Sequence, residues 1–316
     1  MRILVMGTGG VGGYYGAMLA HAGNDVTFVA RGAHLAAMRE KGLELRTQGQ
    51  TIRIAPAHAV GDPAEAGEVD LALFTVKTYD TESAARALRP AVGPETAVLT
   101  LQNGIDSVDV LARILGEEHV LAGVTLIASS VVEPGVIQEN GFSRKVIVGE
   151  ARGEISPRVT AFVETFRAAG LDAESTADAR QAIWDKFVLV AAHATVSAAC
   201  QTPIGTTRKT GEAMALYHRM HREVIALGTA EGLRFAPDMA DRLVATFMGA
   251  PEGQTSSMQR DFANGRRVEL EALTGAVVRR AGSLGVAVPS FDALYAVLKV
   301  RARAFGGLPV DEPSVG

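Results

Sequence analysis

At 316 residues, 47% of them apolar, the chain has enough material for two ordinary domains, each with its own core. Its net charge of −4, with no basic stripe, argues against nucleic acid as a partner, because neutralising phosphates takes a basic excess. The single cysteine, Cys200, excludes an intramolecular disulfide and any multi-cysteine metal site, and suits a reducing, cytoplasmic setting.

Met1 leads straight into Arg2-Ile3-Leu4-Val5-Met6-Gly7, which reads as a buried strand rather than a signal peptide. No apolar run is expected to reach the length of a membrane span, because glycine or charge interrupts each one. The expected strands are Arg2–Met6, Asp25–Ala30, Leu71–Val76, Ala97–Leu101, Val120–Ala128 and Val146–Gly149. They alternate with helical stretches, the mark of a parallel sheet with crossover helices. Ser156–Ala169 reads as a helix with Phe162, Val163 and Phe166 on one side. Beyond Leu171 helical patterns take over: Asp178–Cys200, Gly211–Gly232, Pro237–Met248, Ser256–Phe262, Arg266–Leu284 and Ser290–Phe305. The expected fold is α/β. A Rossmann-type doubly wound parallel sheet over residues 1–176 precedes a mostly α-helical domain over 177–316. With no long linker, a cleft is expected between them. The tail Leu308–Gly316 reads as frayed.

Gly7-Thr8-Gly9-Gly10-Val11-Gly12 fits G-x-G-x-x-G, follows a strand and opens a helix, as the dinucleotide fingerprint requires. Gly7 would allow the turn, Gly9 the approach of the pyrophosphate, and Gly12 close helix–strand packing. The helix N-terminus would face the phosphates. A glycine-rich turn without a ligand is the alternative. The second strand ends in Ala30-Arg31-Gly32, where an NAD site usually places an acidic residue. Arg31 can pair with a 2′-phosphate, which favours NADP(H), or be a solvated strand-end residue. Two further strand ends carry polar groups, Val76-Lys77 and Leu101-Gln102-Asn103-Gly104, and ligands of open α/β sheets lie outside such ends.

In the helical half, Lys186 in Trp184-Asp185-Lys186-Phe187 is a candidate general acid, or an ordinary solvated lysine. Ser256 and Gln259 have capping-box spacing, so one reading of Ser256-Ser257 is simply the start of a helix. Glu269 stands beside the apolar stripe Leu273, Val277, Leu284, which also allows a solvated-edge reading. The histidines are scattered, and no metal site is expected.

Taken together, these motifs resemble the ketopantoate reductase (2-dehydropantoate 2-reductase) family over nearly the whole chain. Gly7–Gly12, Val76-Lys77, Leu101-Gln102-Asn103-Gly104, Trp184-x-Lys186, Ser256-Ser257-Met258 through Asp261, and Glu269 occur in family order. The resemblance implies hydride transfer from NADPH to a 2-keto acid, by default 2-dehydropantoate to pantoate in pantothenate biosynthesis. It casts Lys186 as general acid, Glu269 as its support and a substrate contact, and Ser257 as carboxylate ligand. Lys77 and Asn103 would lie between cofactor and substrate, and Arg31 on the 2′-phosphate. Pantoate-specific members carry asparagines where this chain has Val190 and Ala194, and another where it has Gln254. Another branched or aromatic 2-keto acid is therefore an alternative substrate, and a non-catalytic NADP(H)-binding regulator an alternative function. Helical spacing puts Lys186, Val190, His193 and Ser197 on one face, so His193 would offer a hydrogen bond or charge to the substrate, or simply pack. A homodimer is compatible with a helical second domain of this kind.

Overall fold

Residues 1–141 and 143–308 are described by the structure, a computed structural model. Within the tail expected to fray, residues 309–316 lie outside the described residues, and Leu308 is buried. The chain divides into two compact units: Met1–Gln102 with Asp106–Ile183, and Asn103–Ile105 with the chain from Trp184 onward.

The first unit contains β1 (Arg2–Met6), α1 (Gly10–His21), β2 (Asp25–Val29), α2 (Gly32–Lys41), β3 (Leu43–Thr47), β4 (Gln50–Ile54), β5 (His58–Val60), β6 (Leu71–Phe74) and α3 (Thr81–Leu88). These are followed by β7 (Ala97–Thr100), α4 (Ser107–Leu115), β8 (Val120–Thr125), β9 (Ser129–Glu133), β10 (Val136–Glu139), β11 (Val146–Glu150), α5 (Pro157–Ala168) and β12 (Ala173–Ser175). One sheet runs β5-β2-β1-β6-β7-β8-β11-β12, parallel throughout except between β8 and β11. Its first six strands follow the 3-2-1-4-5-6 order of a doubly wound dinucleotide fold. Both faces are covered, which is why the strands are apolar at successive positions rather than alternating. Ile3 and Val5 pack in a core with Tyr14, Tyr15 and Phe166, while Leu4 and Met6 pack with Ala84, Leu88, Leu111 and Ile114.

A second sheet, β4-β3-β10-β9, lies against the other side of α1. A Cβ on Gly16 would meet Phe28 at 2.6 Å and Val5 at 2.8 Å, and one on Gly13 would meet the Ile137 side chain at 2.6 Å. Helix α1 is thus squeezed between two sheets along a glycine-lined surface. This second sheet was not anticipated from sequence, and the expected strand Val120–Ala128 ends early, at Thr125. The alternation of buried Leu43, Leu45 and Thr47 with the less buried Glu44 and Arg46, followed by Gly49 at φ +79, is the hairpin signal that marks it.

The second unit holds most of α6 (Ala179–Cys200), then α7 (Ile204–Thr207), α8 (Gly211–Ala230), α9 (Met239–Gly249), α10 (Ser257–Ala263), a π turn (Glu271–Gly275), α11 (Ala276–Leu284) and α12 (Pro289–Ala304). The division inside α6 falls beyond the 176/177 boundary expected from sequence. The first turn of α6 packs on β11, where a Cβ on Gly149 would lie 2.9 Å from the Cβ of Ala179. By length and composition α6 would suffice to cross a membrane, which corrects the expectation that no run reaches that length. More than half of the qualifying stretch is buried inside the protein. The expected helix Arg266–Leu284 is also corrected. Gly265, at φ +61, closes α10, the N–H of Val268 donates to the carbonyl of Gly307, and helical structure resumes only at Leu270.

Candidate functional site

The first unit presents the glycine-rich turn at the carboxyl end of β1. Gly7, at φ +97, reverses the chain where a Cβ would come within 2.9 Å of the Val76 backbone nitrogen. Thr75 Oγ1 donates to the Gly7 carbonyl at 2.8 Å. Thr8 donates to the Val29 carbonyl through both its N–H (2.9 Å) and its hydroxyl (3.0 Å). The turn is therefore tied to the ends of β6 and β2. A Cβ on Gly12 would overlap Thr75 and the Gly7 carbonyl, whereas one on Gly9 would meet nothing within 4 Å. Gly9 N-caps α1 without any side-chain hydrogen bond, and Val11 is half-buried in the first turn. Gly10 is covered by the backbone of Ser129 at the start of β9.

Arg31 lies two residues beyond β2, as the exposed N-cap of α2. Lys77 is half-buried just past β6. Gln102 braces that loop, its Nε2 donating to the Val76 carbonyl and to Thr81 Oγ1, each at 2.9 Å. Sequence reasoning quoted Gln102 as part of a motif without giving it this task.

In the second unit, Lys186 lies two turns into α6 and donates from Nζ to Oδ1 of Asn103 at 2.8 Å. Burial pushes the lysine down to about 8, and the charge of buried Glu269 opposes that shift. Glu269 lies in the irregular stretch just before the helix resumes at Leu270, and its carbonyl accepts the N–H of Leu273 at 3.2 Å. The solvated-edge reading of Glu269 does not hold, because it is only 5% exposed. Ser257 is half-buried at the start of α10, and Gln254 is exposed in the preceding loop.

Lys186, Val190 and His193 are all half-buried, on a helix whose other faces are mostly closed. Ala194 and Ser197 do not share that exposure, at 3% and 2%. His193 is a packed residue. Its Nδ1 lies 3.2 Å from Tyr217 Oη, its ring stacks on Phe247 at 4.9 Å, and its Nε2 is buried. Burial, assisted by His221, pushes its imidazole down to about 4, so the expectation of a positive charge there is corrected.

Four hydroxyls escaped the sequence reading as site components. Thr195 Oγ1 donates to the Ala191 carbonyl at 2.7 Å and meets Thr274 Oγ1 at 2.8 Å. Ser197 Oγ donates to the His193 carbonyl and meets Ser256 Oγ, both at 2.6 Å. Ser256 in turn accepts the N–H of Gln259, which is the N-cap that its spacing anticipated. The Thr195–Thr274 and Ser197–Ser256 contacts join residues far apart in the chain, and only the cap has a signal in local sequence.

Two family profiles match the chain, one described as ketopantoate reductase PanE/ApbA over residues 3–153 and one as its C-terminal part over residues 178–302. A 2-dehydropantoate 2-reductase of Halobacterium salinarum is 32% identical over 307 residues, covering 96% of this chain and 99% of that protein. The crystal structure of a PanE/ApbA family ketopantoate reductase from Ralstonia eutropha JMP134 matches with a TM-score of 0.90 at 33% identity, covering 97% of this chain and 100% of that one. A D-mandelate dehydrogenase, solved with NADH and anilino(oxo)acetate, matches with a TM-score of 0.89 at 21% identity over 97% of this chain and 100% of its own, a likeness of fold alone. Profiles over both units and a relative aligned along nearly the full length agree: the chain belongs to the ketopantoate reductase PanE/ApbA family of oxidoreductases.

Proposed function

We propose that this protein is an NADPH-dependent reductase of 2-keto acids, with 2-dehydropantoate as the default substrate. The carrying observation is Lys186: desolvated, brought to about 8, bonded to Asn103 and coupled to Glu269. Such a lysine is poised as a general acid near neutral pH, where an ordinary solvated lysine holds its proton too tightly.

The glycine-rich turn suits a dinucleotide. Space beside Gly9 lets a pyrophosphate reach the backbone, and the uncapped start of α1 offers N–H groups and a positive dipole end. Thr8, Gly10, Val11 and Gly12 would complete that cradle, and the family resemblance assigns Lys77 and Asn103 to the nicotinamide. Arg31, exposed where an NAD site usually carries an acid, would take the 2′-phosphate through charge-assisted hydrogen bonds. When bound, the reduced nicotinamide supplies the hydride. Lys186 Nζ gives its proton to the developing alkoxide, Asn103 aims that ammonium, Glu269 keeps it charged, and Ser257 binds the substrate carboxylate.

A second reading is reduction of another branched or aromatic 2-keto acid. The half-buried, apolar Val190 favours it, since it stands where the family resemblance expects an amide for the pantoate hydroxyl. The test is oxidation of NADPH, against NADH, with a panel of 2-keto acids. Turnover with branched or aromatic 2-keto acids but not 2-dehydropantoate selects the second reading. Tight NADPH binding without turnover on any member would overturn both.

A further inference from the structure

Helix α11 is preceded by a π turn, Glu271–Gly275, that begins two residues after Glu269. A π turn is a rare, less favourable departure from α geometry, kept mostly where function requires it. This one is fastened on two sides. On the inner side, Thr274 is fully buried and its Oγ1 lies 2.8 Å from Oγ1 of Thr195 on α6. The hydroxyl proton of Thr195 is already given to the Ala191 carbonyl, so Thr274 must be the donor. On the outer side the carboxylate of Glu271 folds back over its own turn. It accepts from Tyr295 Oη at 2.8 Å and from Arg279 at 2.9 Å, with Lys299 3.7 Å away. Gly275 leaves room for that fold-back: a Cβ there would lie 2.7 Å from Glu271 Oε2 and 2.8 Å from Arg279 Nη1, so those side-chain ends would have to move aside.

Both fastenings act on the segment that carries Glu269, and the inner one ends on the helix that carries Lys186. We propose that the π turn is the positioning device of this site: the Thr274–Thr195 bond, with Glu271 folded over Gly275, holds Glu269 in register with Lys186. Thr274 and Gly275 are then positioning residues and touch no substrate. The proposal rests on the roles given above to Lys186 and Glu269. Its physical logic is that a buried hydroxyl pair fixes distance and rotation between two helices, whereas apolar contacts alone tolerate sliding.

The decisive variants are Thr274→Val, which keeps shape but removes the donor, and Thr274→Ser, which restores it. Thr274→Val is expected to lower kcat roughly 10–100-fold, the usual cost of misplacing a catalytic group by about 1 Å. NADPH affinity, read by nucleotide fluorescence, should stay within about twofold, because the substitution changes no residue assigned to the nucleotide. The ionisation of Lys186, followed by NMR of isotope-labelled lysine and assigned with Lys186→Arg, should move to lower pH as Glu269 withdraws its support. Among the described residues, Glu269 acts on its charge and Asn103 accepts its hydrogen bond. Thr274→Ser should recover both readings.

Gly275→Ala provides the check if the valine variant does not fold. Alanine favours regular helix over glycine, so this variant should be at least as stable as the parent and yet less active, as the displaced carboxylate frees the turn. A folded Thr274→Val with unchanged kcat and unchanged Lys186 titration, or a fully active Gly275→Ala, overturns the proposal. If instead Lys186→Ala retains normal turnover, the catalytic reading fails, and the Lys186 titration in Thr274→Val still decides whether the π turn sets the Glu269–Lys186 register.

Discussion

Lys186 Nζ donates a 2.8 Å hydrogen bond to Oδ1 of Asn103, so the amide that follows Gln102 orients the lysine. The reduction needs that lysine protonated. Burial brings it down to about 8, so the rate should hold below that pH and fall as pH rises through about 8. Glu269 raises the lysine, so Glu269→Gln should move the alkaline limb to lower pH. Lys186→Ala should cut turnover roughly 10²–10⁴-fold with NADPH binding retained. A flat profile from pH 7 to 9.5 would remove Lys186 from the proton transfer.

Arg31 is exposed at the N-cap of α2, beside the turn that Thr8 ties to β2. Arg31→Ala should weaken NADPH by about 1.5–3 kcal/mol, the range for hydrogen bonds to charged groups. NADH binding should scarcely change, because it carries no 2′-phosphate. Titrating both nucleotides by fluorescence checks this, and equal losses for the two would place Arg31 elsewhere.

His193 and His221 predict acid sensitivity of the second unit. Burial, as the first cause for each, pushes both down to about 4 from an ordinary value of 6.5. The unfolded chain therefore takes up protons between those values while the folded protein does not. Stability is complete above pH 6.5 and is lost as pH falls toward 4. At 1.36 kcal/mol per unit, each histidine contributes on the order of 3 kcal/mol to that loss. His193→Phe preserves a ring against Phe247 and should flatten the slope, even though the unpaired Tyr217 hydroxyl lowers stability at every pH. Urea unfolding at pH 7 and pH 4.5 gives the comparison, and identical slopes for variant and parent would count against it.

What the sequence revealed follows from where the determinants lie. The strand–turn–helix around Gly7–Gly12 is local, so its pattern was legible, and five of the six strands of the doubly wound order read as short apolar runs; the sixth, β5, was missed because its three residues His58–Val60 are too few to show a pattern. Sheet β4-β3-β10-β9 was missed because its strands are half polar and its β3–β10 pairing joins residues about ninety positions apart. The Glu269 segment was misread as helix because Arg266–Glu269 carries no breaker of its own. Its irregular form follows the turn at Gly265 and the bond from the Val268 N–H to the distant Gly307 carbonyl. His193 shows the limit of helical spacing. The spacing placed it correctly on the Lys186 face, but only the packing of α8 and α9 shows that both its nitrogens are turned inward.

That inward turn sharpens the expectation for substrate choice. The family resemblance places substrate asparagines at Val190 and Ala194, and His193 was the residue best placed to replace them. With Nδ1 beside Tyr217 and Nε2 buried, His193 is not available as a donor without rearrangement. The enzyme should therefore discriminate weakly in favour of the 4-hydroxyl of 2-dehydropantoate. Against 2-keto-3,3-dimethylbutanoate, which lacks that hydroxyl, the ratio of kcat/KM should lie within roughly tenfold, or about 1.4 kcal/mol. A site with dedicated amides would favour the hydroxylated substrate by several powers of ten, because the analogue leaves buried amides unpaired. The two positions are not equivalent for engineering. Val190 is half-buried and can present an amide, whereas Ala194 is 3% exposed, so an asparagine there would be overpacked. Val190→Asn alone should raise the ratio, and Ala194→Asn should chiefly lower stability. A parent preference above about a thousandfold, equivalent to roughly 4 kcal/mol, would mean that other residues recognise the hydroxyl.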